Sequence, residues 1–308
     1  ETAFGLRTYF LTASGDDGGI SGTLPIVEQS SLVFGRFHSS LPFVTYGGAL
    51  SDNEYVTREL AARAGELARS RDARHVELRH KKATTGLSLP ERNDKVSMVL
   101  RLPGDEDALA KSLGSKLRSQ IRRAEREDPE VIWGREELIG DFYSVFAPSM
   151  HGLGTPVYPR SFFEVVLTAM GDRASIIVVR VKGKPEGAAL TVRHGAEIEV
   201  PWAAASLWGK RNAINMRMYW EMLRSATIAG AGAFDFGRST VDSGTYRFKK
   251  QWGAEPVDLH WCYWLPDGGS IPKLNHSNPK YQLAIRAWQR MPLWCANLIG
   301  PRISRNLP

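Results

Sequence analysis

Cysteine is scarce in this chain: Cys262 and Cys295 are the only two among 308 residues. At most one bridge can form and nothing demands it, so a disulfide scaffold is excluded and a reducing cytoplasm is the expected setting. Long apolar runs are also missing. SIIVV at 175–179 is among the longest, and it is too short to span a bilayer. The seven histidines and two cysteines do not fall at metal-ligand spacing, and no catalytic triad is evident, so no metal is expected. Neither a starting Met nor a signal peptide precedes the first strand pattern, so a trimmed chain lacking its first element is expected. Charge of one sign is not concentrated enough for a dedicated DNA binder. The net charge of +7 suits anionic ligands such as phosphates, CoA, tRNA or lipid head groups.

What is present is a globular composition, 43% hydrophobic and 24% charged, with nine Trp and twelve Phe to bury. The length suggests roughly two domains. Residues 6–13 and 20–27 alternate around SGDDGG and predict a hairpin. Pro42, Gly47 and Gly48 mark irregular backbone, and Ser51 or Asp52 is placed to cap a helix reaching Ser70. HVELRH (75–80) and DKVSMVLRL (94–102) predict strands around a basic loop. One long helix is expected over 105–127, with Leu109, Leu113, Leu117 and Ile121 inward and Arg118, Arg122 and Arg126 sharing an outer face. That face is either a solvated surface or an electropositive wall for a phosphate-bearing substrate. Asp128 and Pro129 close it and set the expected domain boundary.

A short strand at VIW and a helix over 135–150 lead into HGLGTPVYPR, a shaped loop offering His151, Thr155 and Tyr158 as site walls. Strands at 175–182, 187–194 and 197–204 form an antiparallel meander. Pro201 removes a ladder bond from the third, which must bulge or splay there. A loop and a helix at 213–230 follow. Phe234 and Phe236 then alternate with Asp235 in a strand ending near Gly237, and Arg238, Ser239 and Thr240 leave its C-terminal end, where ligands bind in open α/β sheets. Ser243 caps a short helix bearing Tyr246, Phe248, Lys249 and Lys250, stopped by Gly253. A strand at 257–265 and an amphipathic helix at 278–291 complete the pattern. The apolar, basic end LWCANLIGPRISR admits a peripheral contact with the inner face of a membrane.

The order of elements occurs twice. Hairpin, helix, strand, loop, strand recurs 158 to 169 residues later (75 to 233; 6 to 175). This predicts an α/β (α+β) chain of two tandem domains, 1–128 and 129–270, with a helical tail at 271–308 and a cleft between the domains as the default substrate location.

The second copy resembles the GNAT acyltransferase fold, and tandem copies resemble the Fem family, in particular the FemAB-related acyltransferases associated with exosortase/PEP-CTERM loci. SLPFVTYGGAL (40–50), SKLRSQIRRAE (115–125), LGTPVYPRSFF (153–163), EVPWAA (199–204) and FDFGRSTVDSGTYRFKKQWGAEP (234–256) carry the likeness. The loop SLWGKRNAIN, containing Asn212, stands where GNAT domains hold the CoA pyrophosphate on helix N-terminal amides. It has one glycine and lacks the usual run, a departure that weakens the case for ordinary acetyl-CoA pyrophosphate binding. The family also usually opens with a helix that this chain lacks.

The resemblance implies that the pair Phe248 and Lys249 lies near the reacting carbonyl. A fixed cation or N–H donor facing the oxyanion of acyl transfer is worth about 3–4 kcal/mol. His151, Asp235 or Glu199 could deprotonate the attacking amine, or the substrate could supply its own base. Tyr46, Trp202, Tyr219 and Trp252 complete the candidate binding residues, the aromatics serving either an acyl chain or the core. The expected activity is N-acyl transfer from acyl-CoA or acyl carrier protein to an amine such as an amino acid or amino sugar, with no permanently bound cofactor. The alternative is an aminoacyl-tRNA-dependent transferase acting on a cell-envelope precursor. A non-enzymatic binding protein is the third reading. A monomer is expected.

Overall fold

The structure, a computed structural model, describes residues 2–15, 17–31, 35–266, 269–272 and 279–307. Its contacts gather the chain into two units. One comprises Glu1–Val96, Asp258–His276 and Arg302–Pro308; the other comprises Ser97–Val257 and Ser277–Pro301. The boundaries expected at 128 and 270 do not coincide with these units.

In the first unit, β1 (Arg7–Ser14) and β2 (Ile20–Ser31) form the expected hairpin, pairing from Arg7 with Glu28 to Ala13 with Gly22. Residue 16 of its turn lies outside the described residues. β3 (Gly35–Ser39) runs antiparallel to β2, and the two-residue β4 (Leu50–Ser51) also pairs with β2. Helix α1 (Glu54–Ser70) then carries the chain to β5 (Val76–His80), parallel to β3. The cap of α1 is Asn53, whose Oδ1 accepts from the Val56 amide at 3.0 Å. Ser51, one of the two expected caps, instead uses its hydroxyl on Thr57 Oγ1 at 2.6 Å. Leu60, Ala61, Ala64 and Ala68 of α1 bury against Leu24, Ile26, Val76 and Leu78. A buried leucine of this kind contributes about 1.5–3 kcal/mol.

Alternation sends Glu77 and Arg79 to the opposite face of β5. There Arg79 Nη2 meets Glu77 Oε1 at 2.6 Å, Nη1 donates to Val44 O at 2.6 Å, and the guanidinium lies 4.2 Å from the Trp261 ring centre. Tyr263 donates to the second oxygen of Glu77, which leaves this buried ion pair well satisfied. The two-residue β6 (Glu91–Arg92) completes the first-half contribution to this sheet.

β7 (Lys95–Arg101) enters the second unit at Ser97 and is followed there by α2 (Glu106–Ser112) and α3 (Ser115–Glu125). The single helix expected over 105–127 is thus two. Leu113 takes an extended conformation and Gly114, a poor helix former, opens the second helix. Leu117, Ile121 and Ala124 are buried on α3. β8 (Glu130–Gly134), α4 (Ile139–Gly152) and α5 (Arg160–Met170) precede the expected meander of β9 (Ala174–Val181), β10 (Lys184–His194) and β11 (Glu197–Ala205). Short helix α6 (Leu207–Arg211) and α7 (Ile214–Ile228) lead to β12 (Ala233–Thr240), α8 (Gly244–Lys250) and β13 (Glu255–Asp258).

The strand expected over 257–265 is interrupted after β13, and its second part, β14 (His260–Trp264), pairs antiparallel with β5. Among the described residues the first sheet therefore runs β1-β2-β3-β5-β14-β6 and the second β13-β7-β12-β11-β10-β9-β8. Each sheet is a meander followed by a helix and a parallel strand, as the duplicated pattern predicts. Each is completed by a strand from the opposite half of the chain, β14 in the first and β7 in the second. The tail forms α9 (Pro279–Arg290) and α10 (Leu293–Ser304). Residue 278 of the expected tail helix lies outside the described residues. Among the described residues no helix is long and apolar enough to cross a membrane.

Candidate active site

The second sheet opens where β11 carries Pro201. Val192 pairs with Glu199 across β10 and β11, but the next registered pair is Leu190 with Trp202, so Val200 and Pro201 together face a single residue. This is the bulge a proline without an N–H requires. On its other edge β11 runs parallel to β12 at only three positions, ending at Glu199 with Asp235. β11 continues to Ala205 and β12 to Thr240, but the register between them does not. Two parallel strands thus part directly beyond a pair of carboxylates.

β12 itself kinks at Gly237, where φ is +75°, a conformation costly for residues with a Cβ. Both polar groups of this glycine are held. Asp235 Oδ1 accepts from its amide at 2.7 Å and from Ser97 Oγ of β7 at 2.5 Å. Lys249 Nζ donates to its carbonyl at 2.8 Å and to that of Arg238 at 3.0 Å. Only 7% of Lys249 is exposed. It lies three residues after buried Tyr246, on the same face of α8, while Lys250 points outward over the Tyr246 ring. Burial pushes the Lys249 ammonium down to about 8, against the pull of Asp235 and Glu199 and with the push of Arg238. The expected cation is therefore present at the end of β12, but two of its three N–H groups are committed to backbone.

Other expected residues gather around this point. Ser239 is buried on β12 and its hydroxyl has no partner among the described residues, while Arg238 is exposed. Tyr219 of α7 stacks on Phe236 at 5.5 Å and meets the edge of Phe248 at 5.0 Å and the Trp252 ring at 6.2 Å. Desolvation raises the Tyr219 phenol and keeps it protonated. The Trp252 indole N–H is buried without a partner among the described residues. Buried polar groups without a partner are uncommon, and each calls for an explanation.

The loop expected to face an anion is occupied by α6. Ser206 caps it, accepting from the Gly209 amide at 2.8 Å and donating to Glu186. Asn212 closes it through Nδ2 to Trp208 O at 3.1 Å. Ala213, at φ +62°, turns the chain into α7. A Cβ on Gly209 would run into the Glu186 carbonyl, which explains the one glycine of this loop.

Several expected residues lie elsewhere. Trp202 is in an aromatic core, edge-on to Phe162 and Phe163 at 5.3 and 5.5 Å, and Tyr158 lies 5.2 Å from Phe162. The Tyr158 carbonyl accepts from Tyr143, and Thr155 is an exposed loop residue. His151 Nε2 is 2.9 Å from the Trp288 carbonyl, so that nitrogen carries the proton and ties α4 to α9. This spends that nitrogen on structure rather than on a base. Arg118 and Arg122 are exposed on the outer face of α3. Tyr46 belongs to the first unit, where Lys81 lies 5.3 Å from its ring centre. Sequence reasoning missed Ser97 and Gly237. Ser97 carries no local signal, since its partner is 138 residues away. The Asp-Phe-Gly spelling at 235–237 is readable in hindsight as an Asp side chain bonding its own backbone two residues on.

The two sheets and the parting strands give a GNAT-like fold. Residues 111–250 match the acetyltransferase (GNAT) domain family. Among solved structures, FemX is similar over 91% of both chains at 17% identity and a TM-score of 0.60. L-PGS from Bacillus licheniformis is similar over 93% of this chain and 90% of its own, at 14% identity and a TM-score of 0.58. A tandem GNAT protein from the clavulanic acid biosynthesis pathway is similar over 87% and 85%, at 12% identity and a TM-score of 0.53. No curated protein matches the chain.

Proposed function

We propose that the protein is an N-acyltransferase, moving an acyl group from an acyl thioester, carried by CoA or by acyl carrier protein, to the amine of a small acceptor such as an amino acid or amino sugar. The observation that carries this reading is the parting of β11 and β12 beyond Glu199 and Asp235, above a glycine held by Lys249. The GNAT match over residues 111–250 supports the same class of chemistry.

In this reading the thioester carbonyl lies along the freed edge of β11. The amine nitrogen attacks the carbonyl carbon, the C–N bond forms, and the oxygen becomes an oxyanion. Backbone amides past Glu199 and the third N–H of Lys249 stabilise it, at about 3–4 kcal/mol per well-placed donor. The C–S bond then breaks and the departing thiolate takes up a proton. The amine must arrive neutral. Of the three candidate bases, Asp235 already accepts two bonds through Oδ1 and His151 Nε2 is bonded to Trp288. Glu199, partly exposed at the last paired position, is the base we assign. Tyr219, Phe248 and Trp252 offer an apolar wall for an acyl chain.

The test is amine-dependent thiol release from a panel of acyl-CoAs and acyl carrier proteins, with mass spectrometry of the product. Wild type forms an N-acyl product. Glu199→Gln lowers kcat by about 10²–10⁴-fold with little change in the KM of the thioester. Absence of thiol release with every donor would remove this reading.

A second reading, aminoacyl transfer from tRNA to a cell-envelope precursor, is favoured by the exposed Arg118, Arg122, Arg123 and Arg126 around α3 and by the extent of the FemX likeness. Product formation that ribonuclease abolishes would select it.

A further inference from the structure

The positive charge of this chain is concentrated at one end. The last acidic residue is Asp267, and the following 41 residues carry Lys273, Lys280, Arg286, Arg290, Arg302 and Arg305 with no Asp or Glu. Removing these six from the 40 Lys and Arg leaves 34 against 33 acids, so almost the whole net charge of +7 resides in this tail.

Each of the two helices within the tail has an exposed side of mixed character. α9 turns Trp288 inward, while Gln289 is exposed beside Gly152. The Trp288 carbonyl bonds His151, and Gln289 donates to Gly152 O at 2.9 Å. Ile285 lies where a Cβ on Gly154 would stand. The other side of α9 leaves Leu283 68% exposed, with Arg286 and Arg290 also in solvent. α10 buries Ala296 and Gly300 and leaves Trp294 71% and Leu298 64% exposed, with exposed Arg302 next on the same stripe at i, i+4, i+8.

We propose that α9 and α10 form a docking face for an anionic phospholipid surface. Large apolar side chains standing singly in water are ordinary. A tryptophan and two leucines interspersed with three arginines, on a segment without one acidic residue, are not. A second copy of the chain would meet like charge. A nucleic acid would use the arginines but gives Leu283 and Leu298 nothing. A bilayer with acidic head groups uses both. Its phosphates pair with the guanidinium groups, while the indole and the leucines enter the boundary between head groups and acyl chains. The proposal stands apart from the acyl-transfer reading, since it concerns adhesion and not chemistry.

The experiment is flotation of the full chain with vesicles of phosphatidylcholine, with and without phosphatidylglycerol. Binding is expected only with phosphatidylglycerol and is weakened by salt. Arg286→Glu with Arg290→Glu lowers it about thirtyfold or more, and Trp294→Ser with Leu298→Ser about tenfold or more. These side chains are exposed, so the thermal midpoint is expected to stay unchanged and reports that the variants remain folded. Failure to float with acidic vesicles, or flotation indifferent to the Trp294 and Leu298 changes, overturns the proposal. So does tRNA binding that depends on the arginines in the absence of vesicle binding, which would reassign the face to nucleic acid.

Discussion

Asp235 and Lys249 hold the two polar groups of one residue: the carboxylate takes the Gly237 amide at 2.7 Å and the ammonium gives to the Gly237 carbonyl at 2.8 Å. The kink in β12 is thereby fixed from both sides. Its φ of +75° disfavours any residue with a Cβ, although the space is open, with Val200 O 3.6 Å from the position a Cβ would take. Gly237→Ala is expected to lower stability by about 1–2 kcal/mol from backbone strain alone. It is also expected to reduce acyl transfer more than that loss would suggest. Urea unfolding beside initial rates checks both.

Lys249 makes the site sensitive to alkaline pH in a predictable sense. Its folded value of about 8 lies below the ordinary 10.5. Between these values the unfolded chain binds a proton that the folded chain does not, so stability rises with pH across that window. The buried charge costs stability at neutral pH and the cost disappears above about 8–10. Wild type compared with Lys249→Met is therefore expected to gain up to about 1.4 kcal/mol per pH unit between pH 8 and 10. Parallel stability curves for the two proteins would show that Lys249 does not titrate there.

In the first unit the sensitivity is to acid. His75 is buried, stacked on Phe37 at 5.2 Å and 6.0 Å from the Tyr263 ring, and burial lowers it to about 4. Glu77 pulls the other way, and Arg92 and His38 push with the burial. Below the ordinary 6.5 the unfolded chain gains a proton first, so stability falls as pH drops from about 6.5 toward 4. The slope is at most about 1.4 kcal/mol per unit for this group. His38 and His80, also lowered by burial, add to it. Denaturant midpoints across this range check the loss, and His75→Phe is expected to flatten the curve.

The arginines of α3 test whether that helix faces an anionic substrate. Arg118→Ala with Arg122→Ala is expected to raise the KM for an anionic donor or acceptor by about tenfold without moving the thermal midpoint, since both side chains are exposed. Unchanged kinetics would make this a solvated surface.

Local patterns were legible in the sequence and distant partners were not. Pro201 announced the bulge because a missing N–H acts within its own strand. Ser243 announced the cap of α8, and the β1–β2 alternation announced its hairpin. The cap of α1 fell on Asn53 among three adjacent capping residues that spelling alone does not rank. The duplicated order of elements was visible, but the exchange of β7 and β14 was not, because strand pairing is decided by neighbours that sequence distance hides. The same blindness separates His151 from Trp288 and Ser97 from Asp235. Lys249 and Lys250 stand side by side in the sequence, and that spelling does not reveal that Lys249 is the buried one.

The most direct measurement is amide hydrogen exchange with and without a non-reacting acyl-CoA thioether. A donor held where β11 and β12 part slows exchange at residues 199–204 and 236–240, and Ser239→Ala reduces that protection. Slowing confined to other parts of the chain, with 199–204 and 236–240 untouched, would contradict the placement of the reaction there.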